Sequence, residues 1–275
     1  AICFLVIMGP FTLWKQAMSD MQELVFWLPN RVGKHEEQGL AYIALPPSAE
    51  AGGKYPLLLA FHGSGRGALS YRDIPFYRRQ RDIAVSCGYI FAVVSNGPDT
   101  FGKDDGLENI ENLYTWIGQN YPVSEQVVLW ATSAGGLLMH RFFRLSPERV
   151  SLLLGIFPIF DPLKMPQLPS MMRAFGATDR DSLLRKVYAL GIVPSAFPKG
   201  LYRKKYLVIA HGREDKAVPI AQSHELMKQV ERDGGEMTLV EKPGGHSTQN
   251  MSLYETSAFC KALLGQKKAD SIKDS

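Results

Sequence analysis

Four short stretches carry residue types that could do nucleophilic chemistry. They are Ala131-Thr132-Ser133-Ala134-Gly135, His62-Gly63-Ser64-Gly65, Asp215 within the run from His211 to Pro219, and His246 behind Gly244-Gly245. A serine hydroxyl is a weak nucleophile until a base takes its proton, and a histidine held in one tautomer by a carboxylate is a common base for that task. Ser133, His246 and Asp215 supply those three types. Small residues two positions either side of Ser133 permit the strained turn from which a serine projects at a strand end. Ala131 stands there where glycine is usual, at the cost of one methyl. Glycines around Ser64 would let backbone N–H groups face a concave site, as holding a developing oxyanion requires.

Each stretch taken alone has a plainer reading. A small-x-Ser-x-small string can be a simple bend, His246 a surface-loop histidine, and Asp215 a turn or cap aspartate. Their setting decides between the two. Pro56–Phe61, Val127–Trp130 and Tyr206–Ala210 are continuous apolar runs of the kind buried on both faces of a parallel sheet, and Met237–Val240 reads as a further short strand. The four stretches follow those four strands directly. All of them therefore fall at carboxyl ends of strands, where open α/β sheets place their sites.

The remaining elements fill in around this frame. Glu23–Pro29 and Gly39–Pro46 are short apolar runs joined by a polar connection too short for a crossover helix, so they read as an antiparallel pair. Tyr89–Val94 and Val150–Phe157 are further buried strands. Helices are expected over 76–86, 107–120, 137–143, 220–232 and 252–264, with Leu107, Ile110, Leu113, Tyr114 and Ile117 on one face of the second. Alternating strands and helices predict a doubly wound, mostly parallel α/β sheet with an antiparallel N-terminal edge. The segment 158–200 breaks the alternation with six prolines and two short helical candidates, more than a connection needs. It reads as a small cap insertion, although packing beneath an irregular loop explains its apolar residues as well.

The order oxyanion loop, Ser133, Asp215, His246 resembles the α/β-hydrolase superfamily over residues 23–265. The HGxxDxxVP form around Asp215 and the GGH form at His246 are similar to the prolyl oligopeptidase and dienelactone hydrolase branch. The resemblance implies an acyl-enzyme on Ser133, with His246 as general base and acid and Asp215 orienting it. The oxyanion would be held by the Ala134 N–H and one from Gly63 or Ser64, with no cofactor and no metal. Two departures matter. The oxyanion loop is HGSG rather than HGGG, so Ser64 either adds its side chain or merely tolerates the turn. Asp161 is a second candidate acid, since some members carry it there, but the acid-loop match favours Asp215.

Composition excludes several other classes. At 275 residues, with 45% hydrophobic and 21% charged residues, the chain is an ordinary globular sequence. The net charge of +4 is scattered, and its short basic clusters form no recognisable RNA- or DNA-binding module, so nucleic acid is not an expected partner. Three cysteines without CxxC spacing point to neither a disulfide framework nor zinc, and a reduced, cytoplasmic compartment is expected. Residues 1–22 form an N-terminal segment whose first fourteen residues are strongly apolar, too few to span a bilayer as a helix. It is either a truncated signal peptide over 1–17, which would imply secretion, or upstream sequence ahead of Met18. Asp104 and Asp105 lack the ligand spacing of a calcium loop and read as solvated, and 266–275 reads as a polar tail. The leading expectation is hydrolysis of small-molecule carboxylic esters. A peptidase or amidase of the same fold, or a non-catalytic binding protein built on it, are the alternatives.

Overall fold

The computed structural model describes residues 21–33, 38–47, 54–166, 168–247 and 253–273. The apolar segment expected over 1–22 lies almost wholly outside them. Eight strands form one sheet in the order β1-β2-β4-β3-β5-β6-β7-β8. β1 (Gln22–Trp27) pairs antiparallel with β2 (Leu40–Leu45), and β2 antiparallel with β4 (Ile90–Val94). β3 (Tyr55–Phe61), β5 (Val123–Thr132), β6 (Val150–Ile156), β7 (Tyr206–Gly212) and β8 (Glu236–Lys242) complete a parallel run with β4.

Alternation along the central strands divides the core in two, because successive side chains leave a strand on opposite faces. Leu57, Leu59, Phe61, Val127, Leu129 and Ala131 pack on one face with α3 (Asp104–Asn120), α4 (Gly135–Leu145) and α7 (Ala221–Asp233). Leu58, Ala60, Val128 and Trp130 pack on the other with α1 (Ser70–Asp73), α2 (Pro75–Ser86) and α8 (Leu253–Lys273). Helix α8 runs on through most of the segment expected as a polar tail. The segment between β6 and β7 holds α5 (Leu168–Phe175) and α6 (Arg180–Ala189). Its Met165, Met171, Leu183 and Val187 form a separate cluster with Ala134, Leu137 and Val218, which flank the Ser133 turn and the Asp215 loop.

The acidic pair Asp104-Asp105 opens α3, where carboxylates complement the positive end of the helix dipole. Asp104 pairs with Arg141, and Asp105 accepts hydrogen bonds from Gln38 Nε2 at 2.6 Å and the Gly106 N–H at 2.9 Å. Asp104 is largely solvent-exposed, as expected, while Asp105 is half-buried and held by Gln38 and its own helix start.

Behind the Ser133 turn, α4 buries His140 against Phe160, Phe197 and Tyr202. Its Nδ1–H donates to the Gly136 carbonyl at 2.8 Å, while Nε2 has no partner among the described residues. Burial pushes the imidazole pKa down from 6.5 to about 4, with only partial compensation from the Gly136 carbonyl. An unfolded chain protonates this histidine below its ordinary pKa, and the native state resists until about 4. Native stability should therefore fall as pH drops between those values, by up to about 3 kcal/mol from this group. Urea unfolding of wild type and His140→Leu across that window checks it. The variant's acid slope should be flatter, and equal slopes would refute the assignment.

Candidate active site

Ser133 caps β5 with φ of +52°, a left-handed conformation that non-glycine residues adopt rarely. Its N–H donates to the Ile156 carbonyl at 3.1 Å, and its own carbonyl accepts from Gly136 and Ile159, each at 2.9 Å. The turn needs its glycines. A Cβ at Gly135 would lie 2.2 Å from the Phe61 carbonyl oxygen, and one at Gly136 would lie 2.5 Å from that of Ile159. The methyl of Ala131, by contrast, is accommodated, fully buried on the α3 and α4 face.

The loop after β3 approaches this turn. A Cβ at Gly63 would sit 3.4 Å from Ser133 Cβ and 3.1 Å from the Tyr77 hydroxyl, so loop, serine and tyrosine meet at one point. His62 fixes the loop. The Asn96 N–H donates to its Nε2 at 3.0 Å, which leaves the proton on Nδ1 to donate to the Gly63 carbonyl, also at 3.0 Å. That bond sets the plane of the Gly63–Ser64 peptide. The N–H groups of Ser64 and Ala134 donate to no carbonyl among the described residues. The Ser64 hydroxyl is turned to Asp99 Oδ1 at 2.9 Å and the Pro98 carbonyl at 3.1 Å, so its backbone and not its side chain is the available donor. Burial pushes the Tyr77 phenol up to about 12, against the pull of Arg66 and the Gly63 N–H, so it stays protonated at neutral pH.

Asp215 and His246 meet from two further strand ends. His246 Nδ1–H donates to Asp215 Oδ2 at 2.7 Å, which leaves Nε2 with its lone pair. Asp215 Oδ1 accepts from the Ala217 and Val218 N–H groups at 2.9 and 2.8 Å. A second histidine supports the carboxylate. His211 Nε2–H donates to the Val218 carbonyl at 2.8 Å, its Nδ1 accepts from Ser223 Oγ at 2.7 Å, and Nε2 stands 3.5 Å from Asp215 Oδ2. Burial alone would raise the Asp215 pKa. Hydrogen bonds from His211, His246 and the Val218 N–H outweigh it and hold the carboxyl well below the usual carboxylate range. The acid and histidine loops are also stitched together by backbone. Glu214 N–H donates to the Gly244 carbonyl at 3.0 Å and Arg213 N–H to the Lys242 carbonyl at 2.8 Å.

No protein-family model and no curated protein sequence matches the chain. Solved structures do match. Esterase B from Lactobacillus rhamnosis superposes with a TM-score of 0.66 at 15% identity, over 96% of this chain and 94% of that one. The chain has the α/β-hydrolase fold. An S-formylglutathione hydrolase from Agrobacterium tumefaciens gives 0.64 at 16% identity, over 90% and 95% of the two chains. Oligopeptidase B from Leishmania major gives 0.63 at 14% identity over 92% of this chain, which spans only 37% of that larger protein.

On this α/β-hydrolase sheet the two candidate acids separate. Asp161 caps a short turn, its Oδ1 accepting from the Leu163 N–H at 3.0 Å with Lys164 at 3.9 Å, and only Asp215 reaches His246. Tyr77, His211 and Phe157, whose ring centroid lies 4.0 Å from that of His246, went unmarked in the sequence. Each looks there like one more apolar or loop residue. The HGxxDxxVP motif did contain His211, but nothing in it separates a support of the carboxylate from a loop residue. Among the described residues, no group of three His, Cys, Asp or Glu side chains could hold a metal, and no helix is long and apolar enough to cross a membrane.

Proposed function

We propose that the chain is a serine hydrolase of carboxylic esters, with Ser133 as nucleophile, His246 as general base then acid, and Asp215 as its orienting carboxylate. The observation that carries this reading is the His246–Asp215 hydrogen bond, formed at 2.7 Å between loops that follow β7 and β8, in the same sheet whose β5 ends on a serine in the left-handed turn. The tautomer fixed by Asp215 leaves His246 Nε2 able to accept the Ser133 proton. The hydrogen bond between those two atoms is not formed among the described residues, and such bonds commonly tighten only when substrate binds. Attack of Ser133 Oγ on the ester carbonyl gives a tetrahedral oxyanion. The N–H of Ala134, at the start of α4, and the N–H of Ser64 are unspent donors for it, as is the protonated Tyr77 hydroxyl. His246 then passes its proton to the departing alcohol, and water, activated the same way, releases the acid from Ser133.

Similarity to esterase B and to the S-formylglutathione hydrolase, which this chain nearly matches in extent, supports an ester over an amide. The test is a serine-directed fluorophosphonate probe, followed by p-nitrophenyl esters from acetate to palmitate. The expected result is covalent labelling at Ser133 and ester turnover with an optimum chain length. Labelling without turnover of any ester would move the reading to amide bonds. Neither labelling nor turnover would overturn it in favour of a binding protein on a hydrolase fold.

A further inference from the structure

The structure assigns Phe157 as the positioning residue of this site: its backbone joins the nucleophile strand to the acid strand, and its ring is pressed against the imidazole of His246. The inference rests on the ester hydrolase reading, and it adds a residue to which neither motif nor chain order points. Phe157 follows β6, which lies between β5 and β7 in the sheet. One peptide unit does the joining. Its carbonyl, on Ile156, accepts from the Ser133 N–H at 3.1 Å, and its N–H, on Phe157, donates to the Ala210 carbonyl of β7 at 2.8 Å. Any rotation of that unit moves the serine turn relative to the strand that leads into Asp215.

The conformation is an unusual one for the residue type. Phe157 has φ of +38° and is only 5% exposed, so a bulky side chain occupies backbone space that glycine fills without strain. Backbone strain of this kind persists where the surroundings over-determine it, and it gathers at functional sites. Here it aims the ring. The centroid lies 4.0 Å from that of His246 with 47° between the planes, and Phe76 of α2 stacks on Phe157 at 6.1 Å and 7°. Among the described residues, the hydrogen bond that fixes His246 is the one from Nδ1 to Asp215, and a single such bond leaves the ring able to rotate about it. A ring packed at a tilt against the imidazole restricts rotation about that bond and so limits where Nε2 can lie. An aligned base is worth much in rate, since about 1 Å of misplacement can cost 10²-fold.

The test compares Phe157→Leu, which keeps apolar bulk without a flat face, with Phe157→Tyr, which keeps the ring. On a p-nitrophenyl ester, Phe157→Leu should lower kcat by about 10²-fold. KM should stay within about twofold, because substrate binding is not what is lost. Phe157→Tyr should recover most of that kcat. The low-field proton resonance of the His246 Nδ1–H, sharp in wild type, should broaden or vanish in the leucine variant and persist in the tyrosine variant. A leucine variant with wild-type kcat and an unchanged resonance would overturn the assignment. So would an equal loss in both variants. Should Phe157→Leu fail to fold, Phe76→Leu loosens the same ring from behind and must lower kcat in the same direction, and unchanged kcat there overturns the proposal too. The resonance is read without substrate, so a wild type that turns over no ester would count against the proposed function while the Phe157 contact was still decided.

Discussion

Ser133→Ala is expected to abolish ester turnover, with kcat falling on the order of 10⁵- to 10⁶-fold, while the protein melts close to wild type. On the proposed mechanism the loss is large because the hydroxyl would form the bond to the acyl group; without it the Ala134 and Ser64 N–H groups and the Tyr77 hydroxyl would have no tetrahedral oxyanion to hold. Stability should hardly move, since Ser133 is only half-buried, its hydroxyl has no hydrogen bond among the described residues, and the turn is kept by its backbone bonds to Ile156, Gly136 and Ile159. Ser133→Gly extends the argument. Relief of the left-handed strain, about 1–2 kcal/mol, exceeds the roughly 0.4–1 kcal/mol that glycine adds to unfolded-chain entropy. The glycine variant should therefore be inactive yet melt at or above wild type. Ester kinetics and calorimetry on the three proteins check both halves. Residual turnover near the wild-type rate in either variant would remove Ser133 from the mechanism.

Gly212→Ala should give the second large effect, without touching any side chain of the site. A Cβ at Gly212 would lie 2.2 Å from the Gly244 carbonyl oxygen and 3.0 Å from that of Gly245. Backbone cannot rotate away as a side chain can, so the loop bearing His246 must be displaced from the end of β7 by 1 Å or so. Asp215 and His246 are joined across this contact, and their hydrogen bond is the part of the site least able to absorb such a shift. A fall of 10²-fold or more in kcat is expected. A loss of roughly 2–3 kcal/mol in stability should accompany it, as overpacking against backbone commonly gives. Urea unfolding and ester kinetics on the same preparation measure both. Wild-type kcat in a folded Gly212→Ala protein would show that the two loops are not mechanically joined there.

Much of this architecture is written in local patterns. The apolar runs at β3, β5 and β7 are continuous because both faces of those strands are covered, which is also why their ends could be taken as site positions. The small residues around Ser133 reflect a steric need that the Gly135 and Gly136 contacts make explicit. Other features were not legible because nothing local determines them. Strand β8 extends to Glu236 and Lys242 at an exposed sheet edge, where charged residues are tolerated and the apolar signal fades. Helix α8 outruns its apolar stripe into Lys267 and Lys268, where helix propensity continues after burial has stopped. Tyr77 reads as one core tyrosine on an apolar helix face, and its hydroxyl matters only because Gly63 arrives beside it from a different strand. His211 becomes a support for Asp215 through Ser223, a residue on the following helix. Phe157 carries no mark at all, since a positive φ on a phenylalanine follows from its neighbours in space and not in sequence.

The members of the site are also spread through time. A chain made from its amino end presents Ser133 first, then Asp215, and only later His246, which hangs from the outermost strand of the sheet. A nascent chain that has folded through β6 would already hold the serine turn and its oxyanion donors, yet it would have no base. On the proposed mechanism, hydrolysis begins only when β8 docks on β7 and brings the histidine loop against Gly212. A single turnover assay thus reports whether the sheet has closed along that side, and every partly made chain is chemically silent until it has.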